Sequence, residues 1–393
     1  MTITFDLYQT MAVAVVALLV GEWLKRRVRM LTQFCIPSPV IGGIIFSIIS
    51  LIGYSMNLFE CKFDEIMKEV LMVVFFASVG FEANLKTLRK GGKPLVILVA
   101  LVAVVIVLQN AAAVGTALLL GLDGLTGMTT GSIPMTGGHG TSGAFGPLLE
   151  SMGVTGATTL ATAAATFGLV AGSLIGGPIA RRRIEKMRLL ETTPVEVDEL
   201  AEKNEKDHKG VSITLATFHL VIAMGLGTLV SKLLTLTGLT FPIYIGSMIV
   251  AAVIRNIGEY TNRISVPMHY INEIGGTCLS LFLGIAMISL RLWELAELAL
   301  PLVVMLAVQL VLMIFYANYV VFNLMGKDYH AAVITAGFCG FGMGATPNAM
   351  ANMQAICLNY RHSVKAFILV PIVGTMFTDF INSVVITFFI NLL

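Results

Sequence analysis

Apolar runs of helical length recur along the whole chain, and polar residues gather in the short gaps between them. Crossing the hydrocarbon core of a bilayer takes about 20 helical residues. The runs predict helices over 7–25, 36–55, 69–86, 93–120, 156–180, 212–235, 240–256, 275–292, 299–325 and 363–392. Met11–Leu24 has no basic stretch before it and no small-residue cleavage site after it, so it reads as a retained helix rather than a signal peptide. One long hydrophilic stretch, Arg181–Gly210, opens with Arg181, Arg182 and Arg183 and continues with interspersed acids and lysines. It reads as a solvated linker. The pattern therefore predicts an all-α polytopic membrane protein with five-helix units over 1–180 and 211–393, joined by a linker over 181–210.

The two units present similar features in the same order. Pro39 with Gly42 and Gly43 answers Pro242 with Gly246, and Leu85–Pro94 answers Leu290–Pro301. Each unit then carries a glycine-rich break, Gly137–Pro147 and Gly340–Met353. This order reads as an internal duplication. Lys25, Arg26, Arg27 and Arg29 follow the first helix, Lys86, Arg89, Lys90 and Lys93 the third, and the arginine triplet the fifth. A positive-inside bias puts these ends in the cytoplasm, opposite Glu60, Asp64 and Glu65. An odd number of spans per unit inverts the second repeat and leaves both termini outside. The breaks then become re-entrant loops near 128–150 and 331–356, entering from opposite sides with their tips near the midplane. Non-helical backbone survives at that depth only where protein buries it or water lines it, so the breaks are expected to enclose a polar site.

Composition narrows the function classes. The chain is 56% hydrophobic and 12% charged, with a mean hydropathy of +0.88; a soluble domain carries about 25% charged residues. A soluble globule and a bitopic anchor are both excluded. Five cysteines show no paired metal spacing, and a net charge of +2 gives no sign of nucleic-acid binding.

Candidate chemistry lies in three places. The first break offers Gly137, Gly138, His139, Gly140, Thr141 and Ser142, and the second Gly342, Gly344, Thr346, Asn348 and Asn352. Re-entrant hairpins present helix N-termini and free N–H groups to an anion, and glycine lets a ligand approach the backbone. Small residues also serve plain helix packing, which is the competing reading. Asp379 lies inside an apolar run, where a carboxylate costs about 2.5–3.5 kcal/mol. On a continuous helix Thr375, Asp379 and Asn382 share one face, giving three hard oxygen donors suited to Na⁺. A protonated, hydrogen-bonded Asp379 or a proton carrier would also fit. Gln109, Asn110, Ser78, Thr162, Thr166 and Gln309 could line a site or bond between helices; His139 could contact a carboxylate or cap a turn, and His219 reads as packing.

Four segments together, CIPSPVIGG (Cys35–Gly43), MTGGHGTSGAFG (Met135–Gly146), TFGLVAGSLIGGPIAR (Thr166–Arg181) and AGFCGFGMGATPNAMANMQAI (Ala336–Ile356), resemble the bacterial glutamate:sodium symporter family. The resemblance runs over nearly the whole chain, with the linker least similar. It implies secondary transport of L-glutamate coupled to Na⁺ entry, with no organic cofactor and no enzymatic activity. It also implies a homodimer in the bacterial inner membrane, built from inverted repeats and moving in an elevator-like way. The family's signature loops match Gly137–Thr141 and Gly340, Gly342, Gly344, Ala345, Thr346 and Pro347, and Thr378–Asn382 is similar to its last helix; Ser142 stands where glycine or alanine is expected. Symport of another small carboxylate, or proton coupling, is the alternative. A hydrolase is disfavoured because no nucleophile elbow or metal-ligand pair accompanies His139, and re-entrant tips suit occlusion better than an open pore.

Overall fold

Helix dominates the computed structural model, which describes residues 2–29, 31, 36–86, 92–192, 212–236, 242–261, 264–293 and 299–393. Most of the expected linker (193–210), Cys35, Arg89 and Lys90 lie outside the described residues. A short strand β1 (Thr2–Phe5) precedes α1 (Leu7–Arg27), and a second, β2 (Glu60–Phe63), follows α2 (Ser38–Ser55). The remaining elements are α3 (Ile66–Glu82), α4 (Gly92–Leu119), a single turn α5 (Gly124–Met128), α6 (Gly138–Ser151), α7 (Ala157–Met187), α8 (Ile213–Thr235), α9 (Tyr244–Thr261) and α10 (Met268–Ile288). After these come α11 (Ala299–Phe315), prolonged through a π-helical turn Tyr316–Val321, then α12 (Tyr329–Gly342), α13 (Thr346–Asn359), α14 (Val364–Met376) and α15 (Thr378–Leu392).

All ten apolar runs are helical. Among the described residues, seven helices are long and apolar enough to cross a membrane, and eight if the bent pair α14–α15 is one span. The other two, α3 and α9, are shorter or more polar: α3 has 17 residues, and α9 carries Arg255, Asn256 and Glu259. The strands depart from the all-α expectation. Helices α1 and α2 run antiparallel, so the residues before α1 and after α2 meet and pair in parallel, Thr2 with Glu60 through Phe5 with Phe63. Stacking of Phe5 on Phe63, with ring centroids 5.0 Å apart, adds apolar contact to a pair too short to stand alone.

The helices pack into two bodies that cut across the order of the sequence. One, body A, contains α1, α2, α3, α8, α9 and α10; the other, body B, contains α4–α7 and α11–α15. Each body draws on both sequence halves in the same way: the first three helices of each half build A, and the rest build B. A shared device recurs within A. Where α1 crosses α2, Gly21 and Gly42 lie against Ser38 and Ala17 backbone; where α8 crosses α9, Gly227 and Gly246 lie against each other's helices at Ser247 and Gly227. Only hydrogen at Cα permits approach this close, which suits membrane helices held mainly by packing. Body B closes on a cluster including Leu98, Val102, Ile106, Met313, Phe322, Phe338 and Val370.

The bodies meet along α3, α9 and α10 on one side and α6, α14 and α15 on the other. Phe76, Phe145 and Tyr244 interlock there, with Phe76 and Tyr244 stacked at 3.9 Å and Phe145 edge-on to Tyr244 at 5.8 Å. The glycine face of α6 lies on body A: a Cβ at Gly143 would stand 2.7 Å from the Phe282 ring, and one at Gly140 would stand 3.3 Å from Phe75.

A larger side chain at Gly42 should force α1 from α2. Gly42→Val is expected to lower thermal stability in detergent by the cost of overpacking, about 1–3 kcal/mol. Gly115, with open space around its Cα, should respond oppositely, Gly115→Ala gaining about 0.5–1 kcal/mol. Parallel melting curves for both variants check the assignment.

Candidate functional site

Glycine and proline interrupt helices, and in body B three helix ends meet at one place. α12 stops after Gly342, the chain turns through Met343–Ala345, and α13 returns from Thr346 with Pro347 in its first turn. The partner break is less regular: after α5 a series of turns over 129–137 leads into α6 at Gly138. Gly138 has φ +61°, a conformation that disfavours any Cβ, and a Cβ there would stand 2.7 Å from the Gly344 carbonyl oxygen. The turn tips of the two breaks therefore abut. Neither Gly137, the residue capping α6, nor Ala345, capping α13, offers a side-chain hydrogen bond to its helix. Two helix N-termini without side-chain caps converge on one point, and each carries the positive end of a helix dipole.

Side chains from the flanking helices hold the irregular backbone. Gln109 on α4 donates to the Gly342 carbonyl at 2.8 Å and accepts from Thr136 Oγ1 at 2.6 Å. The neighbouring Asn110 accepts from the Ser132 N–H at 2.8 Å, and Gln309 on α11 donates to the Gln109 carbonyl at 2.8 Å. On the other flank, Asn348 donates to the Leu169 carbonyl at 2.9 Å, while Asn352 donates to Gly172 at 2.9 Å and to Ala336 at 3.1 Å. Asn382 on α15 reaches the Ser132 carbonyl at 3.1 Å.

These bonds sort the residues singled out from the sequence. Gly137, Gly138, Gly344 and Thr346 stand at the junction of the tips: Gly137 beside Asn382 and Thr141, Gly344 beside Asn348, and Thr346 beside Gly374. Gly342 ends α12, its carbonyl taken by Gln109. His139 bonds Thr166 on α7 at 2.9 Å, and Ser142 donates to the Gly138 carbonyl at 2.7 Å and faces that of Ala161. Gly140 faces body A. Asn352 lies farther along α13 and clamps it to α7 and α12. Gln109 and Asn110 serve as braces, Ser78 bonds its own helix at Phe75, and His219 does so at Leu215.

The last helix corrects one expectation. It is not continuous over 363–392 but breaks at Phe377 with a 42° bend between α14 and α15. Thr375 therefore does not share a helix face with Asp379 and Asn382; its hydroxyl donates to the Pro371 carbonyl at 2.9 Å within α14. Pro371 inside α14 and the Thr378 hydroxyl, which takes the Val373 carbonyl at 2.8 Å, set the break. Asp379 thus occupies the first turn of α15, a favourable place for negative charge.

Sequence reasoning passed over Glu82. It ends α3, and its carboxylate stands beside the Thr375 hydroxyl and within electrostatic reach of Asp379. Its position at the end of an apolar run reads as a membrane boundary, which hid it. Several buried polar atoms around the junction and α15 make no hydrogen bond: Asn382 Oδ1, Ser132 Oγ, Ser383 Oγ, Asn348 Oδ1 and the Tyr244 hydroxyl. Each carries the penalty of an unmade bond, about 1–3 kcal/mol, until a ligand or solvent supplies the partner. Hard oxygens in this number suit an alkali cation.

A cavity of about 590 Å³ lies elsewhere, between Lys62, Glu65, Lys68 and Arg291 of body A and Glu150 and Thr158 of body B. Those residues of body B flank the junction of α6 and α7, about 18 Å along α6 from Gly138.

The family profile described as sodium/glutamate symporter matches residues 3–362. The sodium/glutamate symporter of Haemophilus influenzae is 40% identical over 390 residues, covering 98% of this chain and 96% of its own. That of Escherichia coli is 40% identical over 396 residues, covering 98% of both. Among solved structures, a sodium proton antiporter from Methanocaldococcus jannaschii aligns over 98% of both chains at 14% identity and a TM-score of 0.43, too distant to carry any argument.

Removing the amide brace should loosen both breaks at once. Gln109→Leu strips a donor from Gly342 and an acceptor from Thr136, an expected loss of about 1–3 kcal/mol. Adding Thr136→Val to it should cost much less than the sum of the single changes, because the partners are shared. A double-mutant cycle on thermal unfolding checks this.

Proposed function

Because this chain belongs to the sodium/glutamate symporter family, we propose that it carries L-glutamate across the membrane together with Na⁺. The observation that carries the reading is the convergence of two helix N-termini without side-chain caps at the Gly138–Gly344 contact. A dicarboxylate needs two positive poles, and these termini offer them without burying a full cation. Gly137, Gly138, Gly344 and Thr346 form the floor of the binding site, with Thr141 and Asn348 at its edge. His139, Gly140, Ser142, Gly342 and Asn352 act behind it by fixing the backbone.

Helices α6, α12 and α13 have 14 residues each, about 21 Å long, against a hydrocarbon core of about 30 Å. We read 128–150 and 331–356 as re-entrant hairpins. The first opens at the start of α7. The second opens at 360–363, where Tyr360 donates to Glu185 near the end of α7 at 2.9 Å. The hairpins thus enter from opposite ends of one long helix, as inverted repeats over 1–180 and 211–393 require. The arginine triplet at the end of α7 makes that side cytoplasmic, leaving both termini outside.

Na⁺ binds through Asp379 and the oxygen of Asn382, with Thr375 contributing across the α14–α15 break. The ion offsets the half-buried carboxylate and, because Asn382 also holds Ser132, orders the first hairpin for the substrate. Sodium and glutamate then each favour the arrangement the other stabilises, which is the thermodynamic content of coupling. Body B moves as a unit against body A, with α6 sliding its glycine face over Phe75 and Phe282, in an elevator-like exchange of access. α2 and α9 belong to the stationary scaffold, through which two copies associate in the bacterial inner membrane.

Purified protein in sealed liposomes should concentrate labelled L-glutamate under an inward Na⁺ gradient, and not under K⁺ or a proton gradient alone. Excess unlabelled glutamate should compete; stronger competition by another carboxylate would replace the substrate assignment. Asp379→Asn should abolish uptake or raise the half-activating Na⁺ concentration, and an unchanged Na⁺ dependence would remove Asp379 from the site. Gly138→Ala should weaken apparent glutamate affinity about tenfold, equivalent to ~1.4 kcal/mol, while leaving Na⁺ binding intact.

A further inference from the structure

Body A also presents polar groups to Asp379. Glu82 ends α3, which packs against both α14 and α15. Its carboxylate lies within electrostatic reach of Asp379, with the Thr375 hydroxyl beside it. Tyr244 on α9, fully buried, is fixed by stacking on Phe76 at 3.9 Å and by the edge contact with Phe145. Its hydroxyl lies near Ser383 and within electrostatic reach of Asp379. Neither the Tyr244 hydroxyl nor Ser383 Oγ, which is 1% exposed, closes a hydrogen bond. Asp379, Asn382 and Ser383 lie three and four residues apart on α15 and share one face. Two carboxylates and the unpartnered oxygens of Tyr244, Asn382 and Ser383 thus lie along the seam where α3 and α9 meet α14 and α15. No lysine, arginine or histidine pairs with Glu82 or Asp379 among the described residues.

We infer that Glu82 is a second carboxylate of the cation site, and that body A completes this site with Glu82 and Tyr244 in the arrangement seen here. This rests on reading Asp379 as the carboxylate for Na⁺. Two like charges facing across a low-dielectric seam repel, whereas a cation between them turns the repulsion into two attractive contacts. The seam therefore closes with the ion in place and is strained without it. An elevator built this way senses its cargo from the scaffold as well as from the moving body. Glu82 serves the ion and leaves the glutamate floor untouched.

The test is direct binding of ²²Na⁺ to purified protein in detergent, without glutamate, for wild type, Glu82→Gln, Glu82→Asp and Tyr244→Phe. The expected result is a loss of Na⁺ affinity of at least about tenfold in Glu82→Gln, partial recovery in Glu82→Asp, and a smaller loss in Tyr244→Phe. In liposomes the same variants should shift half-activating Na⁺ while leaving the apparent glutamate KM at saturating Na⁺ near wild type. Wild-type Na⁺ affinity in a folded Glu82→Gln protein overturns the inference. Should that variant not fold, unchanged affinity in Tyr244→Phe, which keeps the stacked ring, overturns the role of body A. Na⁺ binding that depends on Glu82 without any glutamate uptake would uphold this inference and defeat the substrate reading, so the two fail separately.

Discussion

Backbone that leaves the helix must find hydrogen-bond partners in protein or water, and much of this structure is arranged around that requirement. The breaks at 129–137 and 343–345 expose carbonyl and N–H groups that helix would have paired. Side-chain amides of α4 and α15 take up part of that duty through Gln109, Asn110 and Asn382, while Asn348 and Asn352 clamp α13 to carbonyls of α7 and α12. Amides suit the task because each offers donor and acceptor without charge. Buried amides in an apolar body are therefore the cost of keeping two irregular tips in contact. What the amides leave unpaired, chiefly oxygens, is what a ligand can use.

The same requirement accounts for the two bodies. Irregular backbone and its braces must stay together, so α4, α7 and α11 enclose both breaks, and all of them lie in body B. Body A needs no such polar network and is closed by glycine crossings instead. The seam between the bodies has a mixed character: aromatic at Phe76, Phe145 and Tyr244, smooth along the glycines of α6, and acidic at Glu82 and Asp379. A smooth apolar seam resists sliding little. Its acidic part is where binding of an ion can change the energy of contact.

Asp379 shows how a broken helix changes the meaning of a residue. In a continuous span it is a carboxylate stranded among apolar side chains. At the start of α15 it meets a helix N-terminus, and the bend that creates this terminus also turns Thr375 away from the α15 face. The dipole offsets part of the charge, and a bound cation would offset more. The glycine-rich tips follow the same logic with the sign reversed, since they offer positive helix ends to an anion. Opposite charges are thus accommodated within one body by the ends of short helices rather than by paired side chains.

Hydropathy and spacing determined a great deal unaided. Each of the ten apolar runs formed helix, the last of them as two helices, because the hydrophobic requirement of a bilayer is written residue by residue. The glycine motifs marked the breaks and carried the family likeness, since only glycine tolerates the turn at Gly138 and the approach to Gly344. Tertiary structure alone decided what those pieces become. The parallel pairing of β1 with β2 depends on where α1 and α2 bring their ends. The roles of Asn352, Ser142 and His139 as braces depend on which carbonyl or hydroxyl of a distant helix each one meets. The break at Phe377, and with it the separation of Thr375 from Asp379, is not visible to a periodicity that assumes one straight helix. Glu82 reads as a boundary acid in its own run and comes near Asp379 only because α3 packs against α14 and α15. Local patterns encode burial and helix, which are properties of neighbours in sequence; a site assembled from two bodies is a property of neighbours in space.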